Sequence, residues 1–283
     1  MRKFPAKVLL FGEHLVTSGA RGLAVPLHAM HCALADTARE ADAPMDGSRE
    51  VLTALCRHCQ RFDWFDAEAL SRDIERGLTV SMDIPVGYGL GSSGALVAAL
   101  YDRAATDDVD DPVIVRERLG SMEGLFHGTS SGLDPIVSWL DRPVLVGRDR
   151  LNILERVDLP DDLFLVDSGV SRRTAPQVEH VRELARDPGL QRRIRSEWMV
   201  FDGEAIDALL AGDRQRLGDA VALISAFQRE VLAGIIPDAM RRVWDGADAA
   251  GCHLKICGAG GGGMFLALGD RSALPGSLRT IDL

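Results

Sequence analysis

The sequence predicts a mixed α/β protein, and three observations carry that reading. Short apolar runs bounded by glycine or proline recur at residues 7–11, 23–27, 78–84, 163–166, 254–257 and 264–268, as strands do. Between them lie segments whose apolar residues fall three and four apart, the helical period. Composition is the third: 46% hydrophobic and 26% charged residues in a chain of 283 suit a globular protein of one or two domains. Those values argue against disorder or a fibrous chain.

The first run ends at Gly12 and is followed by residues 23–27, two strands joined by a glycine-containing turn. Residues 36–47, rich in Ala, Asp and Gly, read as an exposed loop. A helical pattern over 50–62 continues to Arg76, and residues 78–84 alternate as a strand until Pro85 stops it. Gly87-Tyr-Gly89-Leu-Gly91-Ser92-Ser93-Gly94 leads from that strand into an apolar helix over 95–105. The next helix, 112–126, carries Val115, Leu119, Met122 and Phe126 on one stripe beside Glu123 and ends before Gly128. Asp134-Pro135 reads as an N-cap followed by Pro at the first helical position. Beyond the strand at 163–166, the chain to about residue 250 reads as amphipathic helices. Two further strands flank the glycine turn 258–263.

Forty-two acidic against 32 basic residues leave a net charge of -10, the wrong sign for holding nucleic acid by phosphate neutralisation. The apolar run at residues 8–11 is too short for a signal-peptide core or a membrane span, so a cytoplasmic protein without membrane partners is expected. Five cysteines, Cys32, Cys56, Cys59, Cys252 and Cys257, form no regular framework, which favours reduced thiols. Cys56-Arg-His58-Cys59 offers zinc-type ligands, yet no second half-site completes four.

Consecutive glycines let backbone approach a ligand closely, and a helix N-terminus just after them adds partial positive charge, so phosphate is the natural ligand of the 87–94 loop. A bare turn explains one or two glycines, not three alternating ones followed by two serines. GxxxxGK[ST] is absent, which excludes a Walker-type loop. Gly89-x-Gly91-x-x-Gly94 does match the dinucleotide fingerprint and is its best rival. The acidic residue closing a second strand about twenty positions on is missing, however, because Asp107, Asp108, Asp110 and Asp111 sit in a polar linker. The protein-kinase motifs are absent too.

Taken in order, the motifs resemble the GHMP kinases, and among them the mevalonate kinase branch. Pro5-Ala-Lys7-Val-Leu-Leu-Phe-Gly12-Glu13-His14 is similar to the first family motif, residues 85–95 to the second, and Lys255-Ile-Cys257-Gly258-Ala-Gly260-Gly-Gly-Gly263 to the third. Glu123-Gly-Leu-Phe-His127-Gly128-Thr-Ser-Ser131-Gly132-Leu-Asp134 resembles the stretch that supplies a magnesium ligand and the catalytic Asp; Val170-Ser-Arg172-Arg-Thr174 resembles a substrate-side segment.

The resemblance implies a two-lobed GHMP kinase fold, α/β (α+β) in class, with a ribosomal-protein-like lobe over about residues 1–155 and a ferredoxin-like lobe over 156–283. It implies ATP and Mg2+ as cofactors. Asp134 and Lys7 would be catalytic; Gly87, Tyr88, Gly89, Leu90, Gly91, Ser92 and Ser93, with Gly258, Ala259 and Gly260, would hold the nucleotide. Ser93 and Glu123 would ligate the metal, and Glu13, His14, Arg172 and Thr174 would face the acceptor. The implied reaction is phosphorylation of a small-molecule hydroxyl, mevalonate to 5-phosphomevalonate, with a homodimer as the assembly considered. Phosphomevalonate, galactose or sugar-phosphate kinases, a non-catalytic sensor and a nicotinamide-binding oxidoreductase are the alternatives. The chain departs from the family pattern at Pro135 in place of Asn, Gly94 in place of Ala and Cys257 in place of Thr or Ser, and it is short over 28–78.

Overall fold

In a computed structural model, residues 1–37, 40–147, 150–171 and 174–283 are described, Thr17 and residues 174–176 by their backbone alone. The elements sort into two compact units. One comprises Met1–Lys7, Pro26–Pro85 and Gly91–Arg142; the other comprises Val8–Val25, Val86–Leu90 and Pro143–Leu283. Two strands, β1 (Phe4–Phe11) and β2 (Gly22–Ala35), belong partly to each.

In the first unit the later half of β2 pairs antiparallel with β3 (Thr79–Met82), Cys32 opposite Met82 and Ala35 opposite Thr79. β2 is much longer than the apolar run at 23–27, because Pro26, His28 and His31 interrupt the apolar pattern without interrupting the strand. Pro26 has no amide to give a ladder, and it falls between the residues paired with β3 and those paired in the other unit. Helix α1 (Ser48–Cys59) buries Leu52, Leu55, Cys56 and Cys59 on one stripe. Helix α2 (Ala67–Arg76) starts where Asp66 accepts from the Ala69 amide at 2.8 Å and stops at Gly77, φ 111°.

Helix α3 (Ser92–Ala104) has no polar face along residues 94–101, all of them buried, so it must be enclosed. It packs against α2, α4 (Pro112–His127) and α5 (Leu133–Leu140). Burying Leu96, Val97 and Leu100 there stabilises the unit by about 1.5–3 kcal/mol each. On α4, Asp111 accepts from the Val113 amide and Pro112 opens the helix, while Val115, Leu119 and Met122 form the buried stripe on which Glu123 also lies.

In the second unit the first half of β2 pairs with β4 (Val144–Gly147), which turns back into β5 (Arg150–Ile153). A separate four-stranded antiparallel sheet has the order β7-β8-β6-β9, formed by His253–Ile256, Met264–Leu268, Leu163–Asp167 and Thr280–Asp282. With β6 and β8 central, this is the ferredoxin-like order that the motifs imply. Every residue of β8 is buried. Helices α6 (Thr174–Leu184), α7 (Pro188–Arg193), α8 (Met199–Leu210), α9 (Arg214–Val231) and α10 (Asp238–Ala249) all come between β6 and β7. The second crossover is a single 3-10 turn, Arg271–Ala273. A π-helical turn, Ile194–Trp198, joins α7 to α8.

None of the five cysteines forms a disulfide. Burial pushes the Cys32 and Cys59 thiols up to about 12 and Cys252 to about 11. Among the described residues, no helix is long and apolar enough to cross a membrane.

Candidate active site

The first unit gathers Lys7, Gly91, Ser93, Glu123 and Asp134. Lys7 lies on β1, 4% exposed, and its Nζ is 2.7 Å from Asp134 Oδ1. A lysine stem that deep keeps its charge only with a partner, and Asp134 supplies it. Asp134 occupies the first turn of α5, not its N-cap. Gly132 takes the cap with φ 67°, where a Cβ would stand 2.2 Å from the Arg116 carbonyl oxygen, so only glycine fits. The Asp134 carboxylate is thereby left for Lys7 rather than for backbone amides.

Gly91 caps α3 at φ 73°, and a Cβ placed on it would sit 3.4 Å from Lys7 Cβ and 3.7 Å from Asp134 Cβ. One turn on, Gly94 touches α5 directly: its Cβ would fall 2.8 Å from the Pro135 nitrogen and 2.9 Å from the Asp134 carbonyl carbon. Helices α3 and α5 therefore begin side by side, with Lys7 beside both starts. Their partial positive ends and the ammonium group favour an anion there.

Among the described residues no backbone carbonyl accepts from the amides of Gly87 to Ser93, and Gly87, Gly89 and Gly91 alternate at φ 83°, 77° and 73°. Alternating left-handed residues turn successive N–H groups toward one point, the concave nest that holds phosphate oxygens.

Glu123 is 4% exposed, and each of its oxygens is held by a serine. Ser93 Oγ donates to Oε1 at 2.9 Å and Ser130 Oγ to Oε2 at 2.5 Å. His127 Nε2 lies 3.2 Å from Ser93 Oγ. Burial, and then the charge of Asp134, push the Glu123 carboxyl above its usual range. Among the described residues no Lys or Arg forms an ion pair with it. Glu123 thus lies in a setting of hard hydroxyl and carboxylate oxygens that suits a small divalent cation. Among the described residues no cluster of three or more His, Cys, Asp or Glu side chains makes a closed cage, so such a cation would keep positions for water and phosphate.

The second unit holds Glu13, His14 and the 258–263 turn. At the end of β1, Glu13 is buried and its Oε1 lies 2.6 Å from Lys255 Nζ and accepts from Gln228 Nε2 at 2.7 Å. Lys255 also donates to the carbonyls of Leu10 and Ile256, at 2.8 and 2.9 Å. The Gly12 amide donates to Asp202 Oδ2 at 2.5 Å. His14, at φ 61°, has Nε2 3.2 Å from the Ala259 carbonyl oxygen and its ring 6.3 Å from that of Trp198. Amides of Gly261 and Gly263 are spent on Ile235 and Val170, whereas among the described residues those of Gly258, Ala259 and Gly260 have no backbone acceptor. Thr174 is the first residue of α6, and Arg172 lies outside the described residues. Sequence reasoning did not find Gln228 or Asp202, and it quoted Ser130, His127 and Lys255 only as parts of motifs, without a role.

Two family models match the chain: the GHMP kinases N terminal domain over residues 50–141 and the GHMP kinases C terminal domain over 205–277. A mevalonate kinase of Archaeoglobus fulgidus is 28% identical over 273 residues, covering 93% of this chain and 90% of that protein. Another, from Methanothermobacter thermautotrophicus, is 28% identical over 277 residues, covering 93% and 88%. The crystal structure of L. major mevalonate kinase in complex with R-mevalonate superposes with a TM-score of 0.68 at 20% identity, covering 99% of this chain and 95% of that one. The chain belongs to the GHMP kinases. It is therefore an ATP-dependent kinase.

Proposed function

We propose that this kinase transfers the γ-phosphoryl group of ATP to the hydroxyl of mevalonate, giving 5-phosphomevalonate and ADP, with Mg2+ bound at Ser93 and Glu123. The observation that carries the reading is the Lys7–Asp134 pair at 2.7 Å, set against Gly91 of the glycine loop. Full-length similarity to archaeal mevalonate kinases supports the acceptor.

In this mechanism the acceptor oxygen bonds to the γ-phosphorus as the bond to the bridging oxygen of ADP breaks. The hydroxyl proton passes to Asp134, whose Oδ1 is held by Lys7. Lys7 remains charged and lowers the energy of the alkoxide and of the transferring phosphoryl group. Amides of residues 87–93 hold the phosphates in line. Mg2+, when bound, neutralises triphosphate charge. On the acceptor side His14, Thr174 and Arg172 make contacts, and Glu13, committed to Lys255 and Gln228, acts through the turn it anchors.

Coupled ADP release with mevalonate, phosphomevalonate, galactose and homoserine tests the reading. Saturable, magnesium-dependent turnover with mevalonate is expected. Saturable turnover with another acceptor and none with mevalonate would contradict it.

A further inference from the structure

We propose that Asp202 of α8 is the positioning residue of the 12–14 turn and works as a neutral carboxylic acid, its Oδ1–H donating to Glu13 Oε2 while Oδ2 accepts from the Gly12 amide. The inference rests on the reading of this turn as the acceptor side of the kinase.

Hydrogen-bond accounting leads to it. Glu13 Oε2 and Asp202 Oδ1 are both buried, and neither has a donor among the described residues. Two orphaned acceptors on neighbouring carboxylates cost free energy that a single shared proton removes. Charge accounting agrees. Lys255 and Glu13 form a neutral pair, whereas an ionised Asp202, 1% exposed, would add an uncompensated buried charge.

The location of the proton also follows. Glu13 Oε1 accepts from both Lys255 and Gln228, so the negative charge belongs on Glu13. Asp202 has one backbone donor, Gly12. Burial first, and then the charge of Glu13, push the Asp202 carboxyl well above its ordinary 3.8, against the opposing pull of Lys255. The Trp198 indole N–H, also buried and without a partner among the described residues, faces the Asp202 carboxyl and likewise pulls it the other way. The charged groups facing it are thus Glu13 from the turn and Lys255 from β7.

What Asp202 holds is a turn with no slack. Gly12 sits at φ 103°, and a Cβ on it would meet the Gly22 Cα at 2.6 Å. The Gly12 carbonyl already caps the amides of Leu15 and Val16, and His14 is held at positive φ two residues on. Fixing the Gly12 amide therefore fixes where the His14 ring begins.

Asp202→Asn and Asp202→Ala separate the possibilities, because asparagine can reproduce both hydrogen bonds of the neutral acid and alanine neither. An infrared difference spectrum, parent minus Asp202→Asn at neutral pH, should contain a protonated carboxylic-acid band; its absence overturns the protonation. Amide exchange over residues 12–14 should stay slow in Asp202→Asn and become fast in Asp202→Ala. Unchanged exchange in Asp202→Ala overturns the positioning role, and fast exchange in Asp202→Asn overturns the neutral acid. With mevalonate as acceptor, Asp202→Ala should raise its KM about tenfold, and Asp202→Asn should recover most of that loss. Spectrum and exchange need no acceptor, so both still decide the role of Asp202 if the kinase turns out to use an acceptor other than mevalonate. If Asp202→Ala does not fold, the spectrum and the exchange of Asp202→Asn still decide.

The sign of the pH effect is fixed as well. A carboxyl whose folded pKa is raised binds its proton in the folded state while the unfolded chain has lost it, so stability falls as pH climbs from 3.8 toward the folded value. The parent should lose melting temperature relative to Asp202→Asn over that rise. A parent that gains instead would contradict the proposal.

Discussion

Gly94→Ala adds one methyl group where α3 meets α5. Its Cβ would stand 2.8 Å from the Pro135 nitrogen, 2.9 Å from the Asp134 carbonyl carbon and 3.0 Å from Asp134 Cβ, whereas ordinary contact begins at 3.4 Å. All three neighbours belong to the first turn of α5, so relief requires that turn to retreat by roughly half an ångström, as overpacked sites do. Overpacking of this kind costs about 1–3 kcal/mol, or a melting shift of roughly 2–10 °C for a protein of this size. The retreat carries Asp134 with it. A displacement of about 1 Å at a reacting group can cost 10²-fold, so half of that should lower kcat about tenfold. Nucleotide binding should change less, because Gly94 lies past the loop amides. The assay is steady-state ADP release at saturating substrates, with a calorimetric melt of the same sample. Unchanged kcat and melting temperature would refute the reasoning, since α3 and α5 would then be free to separate without moving the base.

Gly91→Val places a branched side chain at φ 73° beside Lys7, and ATP affinity by calorimetry should fall about tenfold or more. Unaltered affinity would make the loop a plain turn. Glu123→Gln keeps the acceptor for one serine but weakens a hard ligand, so the magnesium concentration needed for half-maximal rate should rise and excess metal should recover part of the turnover. Cys32 and Cys59, with thiols pushed up to about 12, should resist disulfide reagents at neutral pH in the folded protein. Prompt labelling of either would mean that the chain opens there.

The candidate site of the first unit was legible as a cluster because its parts lie in local motifs. Glu123 and Asp134 are eleven residues apart on one segment, and the glycine loop announces a helix start. Asp134-Pro135 misled as an N-cap because Gly132, two residues earlier, reaches the left-handed cap that Asp would otherwise fill. Ser130 and His127 stood in the same segment, but nothing in spacing says which hydroxyl or ring will reach Ser93 or Glu123. The Glu13 network was hidden by distance along the chain: Gly12 meets Asp202 across 190 positions and Glu13 meets Gln228 across 215. A charged residue inside an apolar strand or helix, as Lys255 and Asp202 are, is the signal that could have exposed it. Strands β4, β5 and β9 have three or four residues each, too few for periodicity to speak.

The most direct test of phosphoryl transfer at this site is single-turnover ADP formation from mevalonate by the parent and by Asp134→Asn, each with nucleotide affinity measured separately. Asparagine keeps an oxygen for Lys7 but removes the charge and the proton acceptor. Magnesium-dependent turnover is expected in the parent, about 10²–10⁴-fold less in the variant, with ATP binding within about threefold. Near-normal turnover in Asp134→Asn, or rescue by magnesium as complete as that of Glu123→Gln, would contradict the role of Asp134 as the base.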